Sequence, residues 1–333
     1  MMSRNPAFEV RPSLITGDTA DVYLHRTQRI LRNEGLNPMV VMEFMSTQDG
    51  VLCGSMEAKA VLAKVTAEGN REVWAVEEGQ RIHQGEVCFH IRAPYSSFGL
   101  YETAICGILA HQSAWGTAAR EIVDAAGGIP VVSVGAHNVH PSVAPLMDYA
   151  AVVGGCASGS TVLGVRLANT AQVATVSGAL VQLMEGSPSK AITAFDRAVA
   201  PDVQRVAYVD PRRDVVAQSV ELAQIMKDRL SSVRLARVPG GEPIDAETVA
   251  MVRKQLDAIG AKAVTIVLSG RMAPERVRTM LDRGAPIDVF HDTGYIAAAS
   301  PIPFLPNIRT ISDQPVPQEK EPPPPNPRLG RLL

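Results

Sequence analysis

Short apolar runs separated by glycine-marked turns dominate the first third of the chain. Their spacing predicts helices and strands in alternation: helices over residues 19–34 and 56–65, and strands over 39–44, 73–76 and 86–92. We therefore predict a small α/β domain over residues 1–98, with residues 296–312 as a candidate for its completion.

The pattern changes near Ser97, where a long helical stretch over residues 99–126 begins. Beyond it, short apolar runs predict six strands: 131–134, 151–153, 205–209, 233–235, 264–268 and 287–290. Helical stretches separate most of these runs: 158–168, 188–199, 212–230, 245–259 and 274–283. Alternation of helices with strands that are apolar on both faces is typical of a buried parallel sheet. We predict an irregular α/β barrel over residues 99–295, although an open parallel sheet would show the same alternation.

Residues 313–333 have a different character, with seven prolines among twenty-one residues. Because proline neither continues a helix nor donates to a central strand, this density predicts a solvated, disordered tail. A proline-rich ligand segment for a partner domain is the functional alternative.

Composition narrows the classes of function. The formal net charge of the 333 residues is −2, so the overall charge favours neither nucleic acid nor an anionic membrane as a partner. No apolar run reaches the length of a membrane span. The four cysteines have neither paired nor zinc-ligand spacing, which predicts reduced thiols in a cytoplasmic protein and no metal site built from them.

A parallel α/β barrel carries its site at the carboxyl ends of its strands. The candidates that lie on or after the predicted strands there are glycines, hydroxyls, histidines, arginines and one carboxylate: His137, His140, Gly154, Gly155, Thr175, Asp210, Arg234, Ser269, Gly270, Arg271 and Thr293. Glycine-rich turns let backbone N–H groups approach an anion, and arginine binds phosphate or carboxylate with two hydrogen bonds. This set predicts the binding of a phosphorylated, multiply anionic small molecule.

Several of these candidates also have an ordinary structural interpretation. The Gly154-Gly155 pair would serve equally as a tight turn, and His137 and His140 as loop-packing residues. Asp210 stands before a proline, where it would cap a helix. Arg26 would lie on the polar face of the first helix.

Three further stretches form ordered motifs. They are TADVYLHRT at residues 19–27, SFGLYETAI at 97–105 and VHPSVAPLMDYAAVVGG at 139–155. In sequence and in order, these motifs resemble those of the nicotinate phosphoribosyltransferase family, and the likeness runs from about residue 17 to about residue 300.

The resemblance implies a type II phosphoribosyltransferase fold, in which a small α/β domain accompanies an α/β barrel. It implies transfer of a phosphoribosyl group from phosphoribosyl pyrophosphate to nicotinate in NAD biosynthesis. Mg²⁺ would assist the departure of pyrophosphate, and some members couple the reaction to ATP hydrolysis. The resemblance also implies a homodimer in which the first helix of one copy reaches the barrel mouth of the other.

By position, the resemblance implies that Tyr23 stacks on the pyridine ring and that Thr175 and Arg234 contact its carboxylate. It implies that His140, the Gly154-Gly155 turn and Ser269-Gly270 line the phosphoribosyl site. Three residues are therefore predicted to be catalytic: Arg234, His140 and Asp210. The remaining candidates, with Arg26 from the first motif, are predicted to contact substrate.

Several positions depart from the family's pattern. His137-Asn138 stands in place of two arginines, Arg271 in place of a second glycine, and residues 291–294 in place of a glycine-rich loop. Three hypotheses remain open: an active nicotinate phosphoribosyltransferase, a non-catalytic relative that binds a nucleotide or a partner protein, and an enzyme on the same fold with a changed substrate. The first is the activity expected of the family. The third rests on residues of functional types that stand in place of the family's own residues: His137, Arg237, Arg271 and His291.

Overall fold

The computed structural model describes residues 7–236, 241, 243–317 and 325–333. Its helices are α1 Pro12–Ile15, α2 Val22–Asn33, α3 Ser55–Val65, α4 Tyr95–Phe98, α5 Glu102–Ala125, α6 Ala144–Val153, α7 Val162–Leu167, α8 Gly178–Leu183, α9 Pro188–Ala198, α10 Val215–Met226, α11 Ala246–Ala258 and α12 Pro274–Asp282. Its strands are β1 Met39–Ser46, β2 Gly50–Val51, β3 Glu72–Ala75, β4 Arg81–Ile82, β5 Val87–Pro94, β6 Val131–Ser133, β7 Val206–Tyr208, β8 Ser232–Ala236, β9 Thr265–Gly270, β10 Val289–Asp292, β11 Phe304–Ile311, β12 Gln314–Pro315 and β13 Gly330–Arg331. Within these residues, no helix is long and apolar enough to cross a membrane.

The chain divides into two compact units, and the first comprises Met1–Ala118, Leu167–Asn169 and Ala299–Leu333. Its main feature is a six-stranded antiparallel sheet in the order β12-β11-β1-β5-β3-β13. Successive residues of β1 alternate between partly and fully buried, as the period of two in a strand requires. On the buried face Phe44 packs edge-on against Phe89, with ring centroids 5.8 Å apart.

The boundary predicted near residue 98 lies instead inside α5, between Ala118 and Ala119. The reason is packing, because Ile105 and Leu109 in the first half of this helix belong to the apolar core of the first unit. Residues 296–312 were a candidate to complete the N-terminal domain, and β11 within that range pairs with β1 in this sheet.

The described part of the expected tail is also different from the prediction. Gly330 and Arg331 pair with Ala75 and Trp74 of β3, and the amide of Leu332 donates to the carbonyl of Val73 at 2.7 Å. The prolines of this segment end at residue 327, so the last six residues keep the N–H groups that a strand edge needs. A count of prolines over the whole segment therefore conceals an ordered end.

The second unit comprises Ala119–Arg166 and Thr170–Ala298 and contains a parallel sheet in the order β6-β10-β9-β8-β7. Helices follow the strands, and four of them begin at a side-chain cap, a signal that the sequence carries in Ser177, Ser187, Asp214 and Asp245. This is the predicted α/β alternation, with parallel strands and intervening helices.

The sheet curls into an irregular ring. Beyond β6, Ser158 forms a parallel bridge with Val132, and beyond β7 the amide of Val176 donates to the carbonyl of Val206 at 3.0 Å. The hydroxyl of Ser158 then donates to the carbonyl of Ala171 at 2.7 Å. The barrel closes through this side chain and the extended segment 171–176, which confirms the predicted irregular α/β barrel.

One predicted strand is wrong. Residues 151–153 lie in helix α6, and Gly154-Gly155 ends that helix with Gly155 at a φ of 114°. The amides of Gly155 and Cys156 donate back to the carbonyls of Val152 and Ala151, which is the Schellman arrangement. The apolar run 151–153 is buried because the helix packs in the core, and periodicity over three residues does not distinguish the two cases.

Asp148 of α6 holds the segment that follows this turn in place through hydrogen bonds. Its side chain is fully buried, and Oδ2 accepts hydrogen bonds from the amides of Ser160 at 3.0 Å and Thr161 at 2.7 Å. The hydroxyl of Ser133 donates to Oδ1 at 3.2 Å. The carboxylate thus joins β6 to the start of α7, next to the closure of the barrel.

Replacement of Asp148 by alanine is expected to destabilise the fold strongly. Each buried N–H left without an acceptor costs about 1–3 kcal/mol, so we expect the free energy of unfolding to fall by about 2–4 kcal/mol. Urea unfolding followed by circular dichroism measures this change. The exposed Asp282→Asn on α12 is the control, with an expected change within about 0.5 kcal/mol. Equal stabilities of the two variants would contradict this role of Asp148.

Candidate active site in the barrel

The inner face of the barrel sheet is polar. Residues in register on neighbouring parallel strands share a face. Arg234 is in register with Tyr208 on β7. His291 is in register with Ser269, which lies two residues beyond the position on β9 that pairs with Arg234. The opposite face carries apolar residues that are fully buried, as expected beneath helices: Val233, Leu235, Ile266, Leu268 and Phe290. Arg234, Tyr208, Ser269 and His291 therefore face the interior of the ring.

Arg234 holds a positive charge inside the barrel. Its Nη2 donates to the carbonyl of Val176 at 3.1 Å, and its guanidinium lies 5.0 Å from the centre of the Tyr208 ring. Its Nε is buried without a hydrogen-bond partner, and burial lowers the pKa of the side chain. Among the described residues, no carboxylate forms an ion pair with it. The arrangement leaves a largely buried cation that lacks an anion among the described residues.

The structure brings Thr175 and Arg234, both predicted to contact a carboxylate, close to each other. The hydroxyl of Thr175 lies 3.4 Å from the carbonyl of Val176, the same oxygen that accepts from Arg234. The backbone of Val176 is itself fixed on β7 through its amide. Two donors of the kind that bind a carboxylate thus meet at one point of the inner wall.

His291 is the second polar group of the interior without a full set of partners. The residue is only 3% exposed, and its Nδ1 is buried without a hydrogen-bond partner. Burial, reinforced by the charge of Arg234, lowers the pKa of His291 to about 4. The imidazole is therefore neutral at pH 7 and faces the same interior as the unpaired guanidinium.

The mouth of the barrel gathers several other predicted residues. The amide of Thr293 donates to the carbonyl of Gly270 at 2.9 Å, and Asn138, beside the exposed His137, donates to the carbonyl of Thr293. Arg271 makes a single long hydrogen bond, of 3.3 Å, to the carbonyl of Gly294. The structure therefore places Ser269-Gly270, Arg271, Thr293 and His137 at the adjoining ends of β9, β10 and β6.

Tyr295 supports Arg271 at this mouth. The guanidinium of Arg271 lies 5.7 Å from the centre of the Tyr295 ring, and the Tyr295 hydroxyl donates to the Glu121 carboxylate at 2.7 Å. Partial burial, together with this hydrogen bond, raises the pKa of Tyr295 to about 12. The phenol is neutral at pH 7 and fixes one side of the Arg271 side chain, whose remaining donors face solvent.

Asp210 and His140, which were predicted to be catalytic, make contacts that do not indicate a catalytic role. The carboxylate of Asp210 receives both Nε and Nη2 of Arg212 at 2.8 Å, and this pair lowers the pKa of Asp210. The helix cap expected of Asp210 is supplied by Asp214 instead. His140 is exposed, and its Nδ1 accepts from the amide of Ser142 at 3.2 Å. Their catalytic roles remain predictions, and Asp210 has little capacity to accept a proton.

The Gly154-Gly155 turn does not form the anion-binding nest that a strand-to-helix turn would form. It ends α6, where helix carbonyls lie, and that end of a helix dipole repels an anion. The helix N-terminus nearby, at residues 160–161, already donates its amides to Asp148. Arg237, which was considered as a replacement cation, lies outside the described residues.

Tyr23 and Arg26 lie on α2 in the first unit. Tyr23 is 55% exposed, and its hydroxyl contacts the Glu102 carboxylate. Partial desolvation, together with the charge of Glu102, raises the pKa of Tyr23. Asp21 accepts a hydrogen bond from Thr103 at 2.7 Å. The first two sequence motifs are therefore in contact with each other, which gives a physical reason for their joint occurrence.

Sequence reasoning named His291 only as a replacement group in a rim loop, and it did not assign Tyr208 to the site. The strand over residues 287–290 was predicted to end two residues too early, so His291 was treated as part of a loop. Extension of the strand to Asp292 puts His291 on the inner face by simple alternation. Tyr208 was recognised as part of an apolar strand, but its contact with Arg234 depends on strand order, which the sequence does not reveal.

The Mg²⁺ ion that the family resemblance implies does not fit a site built by the described residues alone. They contain no group of three histidine, cysteine or acidic side chains that could hold a metal ion. Asp210 is occupied by Arg212, and Asp292 accepts from the amides of Met272, Tyr295 and Ile296.

Comparisons with known proteins agree with this architecture. The profile of the quinolinate phosphoribosyl transferase N-terminal domain matches residues 21–113. A nicotinate-nucleotide pyrophosphorylase of known structure from Pyrococcus furiosus is 32% identical, with 96% of this chain and 81% of that chain covered and a TM-score of 0.83. Human nicotinic acid phosphoribosyltransferase, 15% identical, covers 91% of this chain and 76% of its own with a TM-score of 0.74 and shows the shared fold.

Among curated sequences, the nicotinate phosphoribosyltransferase pncB2 of Mycobacterium tuberculosis is 29% identical over 235 residues, or 70% of this chain. The chain spans about half the length of the curated relatives that it matches. The two units define a type II phosphoribosyltransferase fold. The chain belongs to the nicotinate phosphoribosyltransferase family.

The depressed pKa of His291 predicts a specific dependence of stability on pH. The ordinary histidine pKa near 6.5 applies to the unfolded chain, so the unfolded state binds the extra proton as pH falls from about 6.5 to about 4. We expect the stability of the wild type to fall over this window relative to His291→Gln, by about 3 kcal/mol at most. Urea unfolding of both proteins between pH 4 and 7.5 measures the difference.

The comparison with the variant is needed because Glu57 in the first unit acts in the opposite direction. Burial raises the pKa of Glu57 to about 7, so its contribution to stability falls as pH rises. This contribution is common to the wild type and the variant and cancels in their difference. Parallel curves for the two proteins would contradict a buried, neutral His291.

Proposed function

We propose that this protein is a phosphoribosyltransferase that joins a pyridine carboxylate, in the first instance nicotinate, to phosphoribosyl pyrophosphate and releases pyrophosphate. The observation that supports this most strongly is the largely buried Arg234, whose buried Nε has no partner and whose charge has no carboxylate counter-ion among the described residues. A buried cation of this kind favours an anionic ligand, because leaving it unpaired costs stability. The carboxylate of nicotinate supplies that anion.

The surrounding residues suit the two ends of such a reaction. Thr175 and Arg234 share the carbonyl of Val176 and would turn their donors toward the carboxylate of the base. At the mouth, the free donors of Arg271 suit a phosphate, which guanidinium binds with paired hydrogen bonds. His137, Ser269-Gly270 and Thr293 complete this end. We propose that Tyr23 and Arg26 reach the same site from a second copy of the chain.

The chemistry requires electrostatics and placement more than proton transfer. The lone pair of the pyridine nitrogen forms a bond to the first carbon of the pentose while the bond to pyrophosphate breaks, and no proton moves. A site that holds both substrates in line and neutralises the leaving group supplies most of the rate enhancement. The engaged carboxylate of Asp210 is compatible with this, because the reaction needs no general base.

Two accessory features of the proposal come from the family resemblance. Mg²⁺ would accompany phosphoribosyl pyrophosphate, and ATP hydrolysis would be coupled as in some relatives. We place the reaction in NAD biosynthesis in the cytoplasm, and the four free cysteines are consistent with a reducing compartment.

A second candidate is an enzyme on the same fold that acts on a different heteroaromatic acid. His291 favours it, because its imidazole occupies the inner face at a position where the family pattern has no side chain of this kind. The third hypothesis, a non-catalytic binding protein, predicts tight binding of phosphoribosyl pyrophosphate without turnover.

One assay separates these hypotheses. The purified chain is incubated with nicotinate, phosphoribosyl pyrophosphate and Mg²⁺, with and without ATP, and nicotinate mononucleotide is measured by chromatography. Parallel reactions contain other pyridine and pyrimidine carboxylates. Formation of the mononucleotide supports the first proposal, and product from another acid alone supports the second. Absence of product at high enzyme concentration, with calorimetric binding of phosphoribosyl pyrophosphate, supports the third and overturns the first.

Arg234→Met is expected to separate activity from stability. The variant loses the cation that binds the carboxylate, so we expect kcat/KM for the pyridine acid to fall by about 100-fold or more. The midpoint of thermal unfolding should stay the same or rise, because an uncompensated buried charge is removed. Arg278→Gln on the exposed part of α12 is the control for both measurements. A lower midpoint with unchanged kcat/KM would identify Arg234 as a structural residue.

The proposed homodimer predicts a sensitive surface on α2. Val22, Tyr23 and Ile30 lie on one stripe of this helix and are 64%, 55% and 59% exposed, which is unusual for apolar side chains at this spacing. We expect the double variant Val22→Glu, Ile30→Glu to sediment as a monomer under conditions in which the wild type is a dimer. The control is Ile225→Glu on α10, which is also exposed. A monomeric wild type would refute the shared site.

A further inference from the structure

The register of the strands gives the relative positions of three side chains along the barrel axis. Arg234 is level with Val267 on β9, and His291 is level with Ser269, two residues nearer the mouth. Arg271 follows Ser269 by two more residues. At about 3.3 Å per residue along a strand, the step from Arg234 to His291 is about 6.6 Å. Arg271 lies just beyond the end of β9 at Gly270. The three side chains therefore form a series from the interior to the mouth: guanidinium, imidazole, guanidinium.

The two ends of the series differ in their surroundings. Arg234 is largely buried and lies against the Tyr208 ring. Arg271 is exposed at the mouth and keeps most of its donors free. A ligand that contacts both carries an aromatic acid at one end and a phosphate at the other. In a molecule of that kind, the bond between the ring and the pentose lies between the two acidic ends.

From these levels, and resting on the proposed function, we propose that His291 is a catalytic residue whose imidazole contacts the pentose carbon at which the bond to pyrophosphate is exchanged for the bond to the ring nitrogen. The ring of His291 is suited to this position because its Nδ1 has no partner in the described structure and its side chain is almost fully buried. The acidic ring end is held by Arg234 and the phosphate end by Arg271.

The charge state of His291 agrees with that position. As the bond to pyrophosphate breaks, its electron pair leaves with the pyrophosphate oxygen and the pentose carbon becomes positive before the nitrogen lone pair completes the new bond. An imidazolium would repel this carbon, whereas a neutral imidazole presents a lone pair and a dipole to it. The lowered pKa keeps His291 neutral at pH 7, and the residue neither gains nor loses a proton in the step.

Magnetic resonance of histidine ring signals tests the contact directly. The wild-type chain, with its seven histidines labelled in the ring, is titrated with nicotinate, inorganic phosphate and nicotinate mononucleotide, and the His291 signal is assigned by its loss in His291→Gln. We expect the mononucleotide to shift the His291 signal more than either fragment does. Binding of the mononucleotide with an unmoved His291 signal overturns this inference alone. Failure of the mononucleotide to bind overturns the proposed function and this inference with it.

Kinetics of two variants test the catalytic role. We expect His291→Leu to lower kcat by at least about tenfold while the KM values of both substrates change less than about threefold. His291→Gln, which restores a neutral dipole, is expected to recover part of kcat. A rise of KM for the pyridine acid with unchanged kcat would assign His291 to base binding and refute the proposal. Urea unfolding at pH 7 verifies that both variants fold, and if the leucine variant does not, the ring-signal titration decides.

Discussion

A guanidinium inside a protein is stable only when an anion, a set of acceptors or an aromatic face takes the place of water. Arg234 has one carbonyl and the Tyr208 ring, and one of its nitrogens has nothing. The imbalance orders the rest of the barrel interior. The charge of Arg234 reinforces the burial that keeps His291 neutral, and Arg234 and Thr175 both lie at the carbonyl of Val176. An unpaired guanidinium at this place favours anionic ligands, whose binding lowers the free energy of the folded state.

Much of the barrel could be predicted from the sequence, because parallel strands buried on both faces leave a plain apolar pattern. Arg234 was recognisable for the same reason, since a charge within an apolar strand has few structural explanations. Its convergence with Thr175 was predictable only through the family resemblance, because the two residues lie on separate segments of the ring. Periodicity orders residues along a strand and says nothing about which strands are neighbours.

The failures have equally definite causes. Three consecutive apolar residues fit a buried helical turn as well as a buried strand, so residues 151–153 were predicted to be a strand although they end helix α6. As a result, the Gly154-Gly155 turn was predicted to precede a helix, whereas it follows one. An error of two residues in a strand end moved His291 from the inner face into a loop. The proline content of residues 313–333, taken as a whole, predicted a disordered tail. It concealed the proline-free end of this segment, which pairs with β3. In each case a local signal was decided by tertiary contacts.

The charged residues of the second unit explain why the net charge of the chain did not indicate a site for an anionic ligand. Asp148 binds two amides and a hydroxyl, Asp210 binds Arg212, and Asp292 binds three amides. Each of these acids is consumed in holding the ends of strands and helices together. The cations Arg234 and Arg271 are not neutralised in this way. A chain of net charge −2 therefore keeps two arginines of this unit available to a ligand, because the acids named above serve the fold.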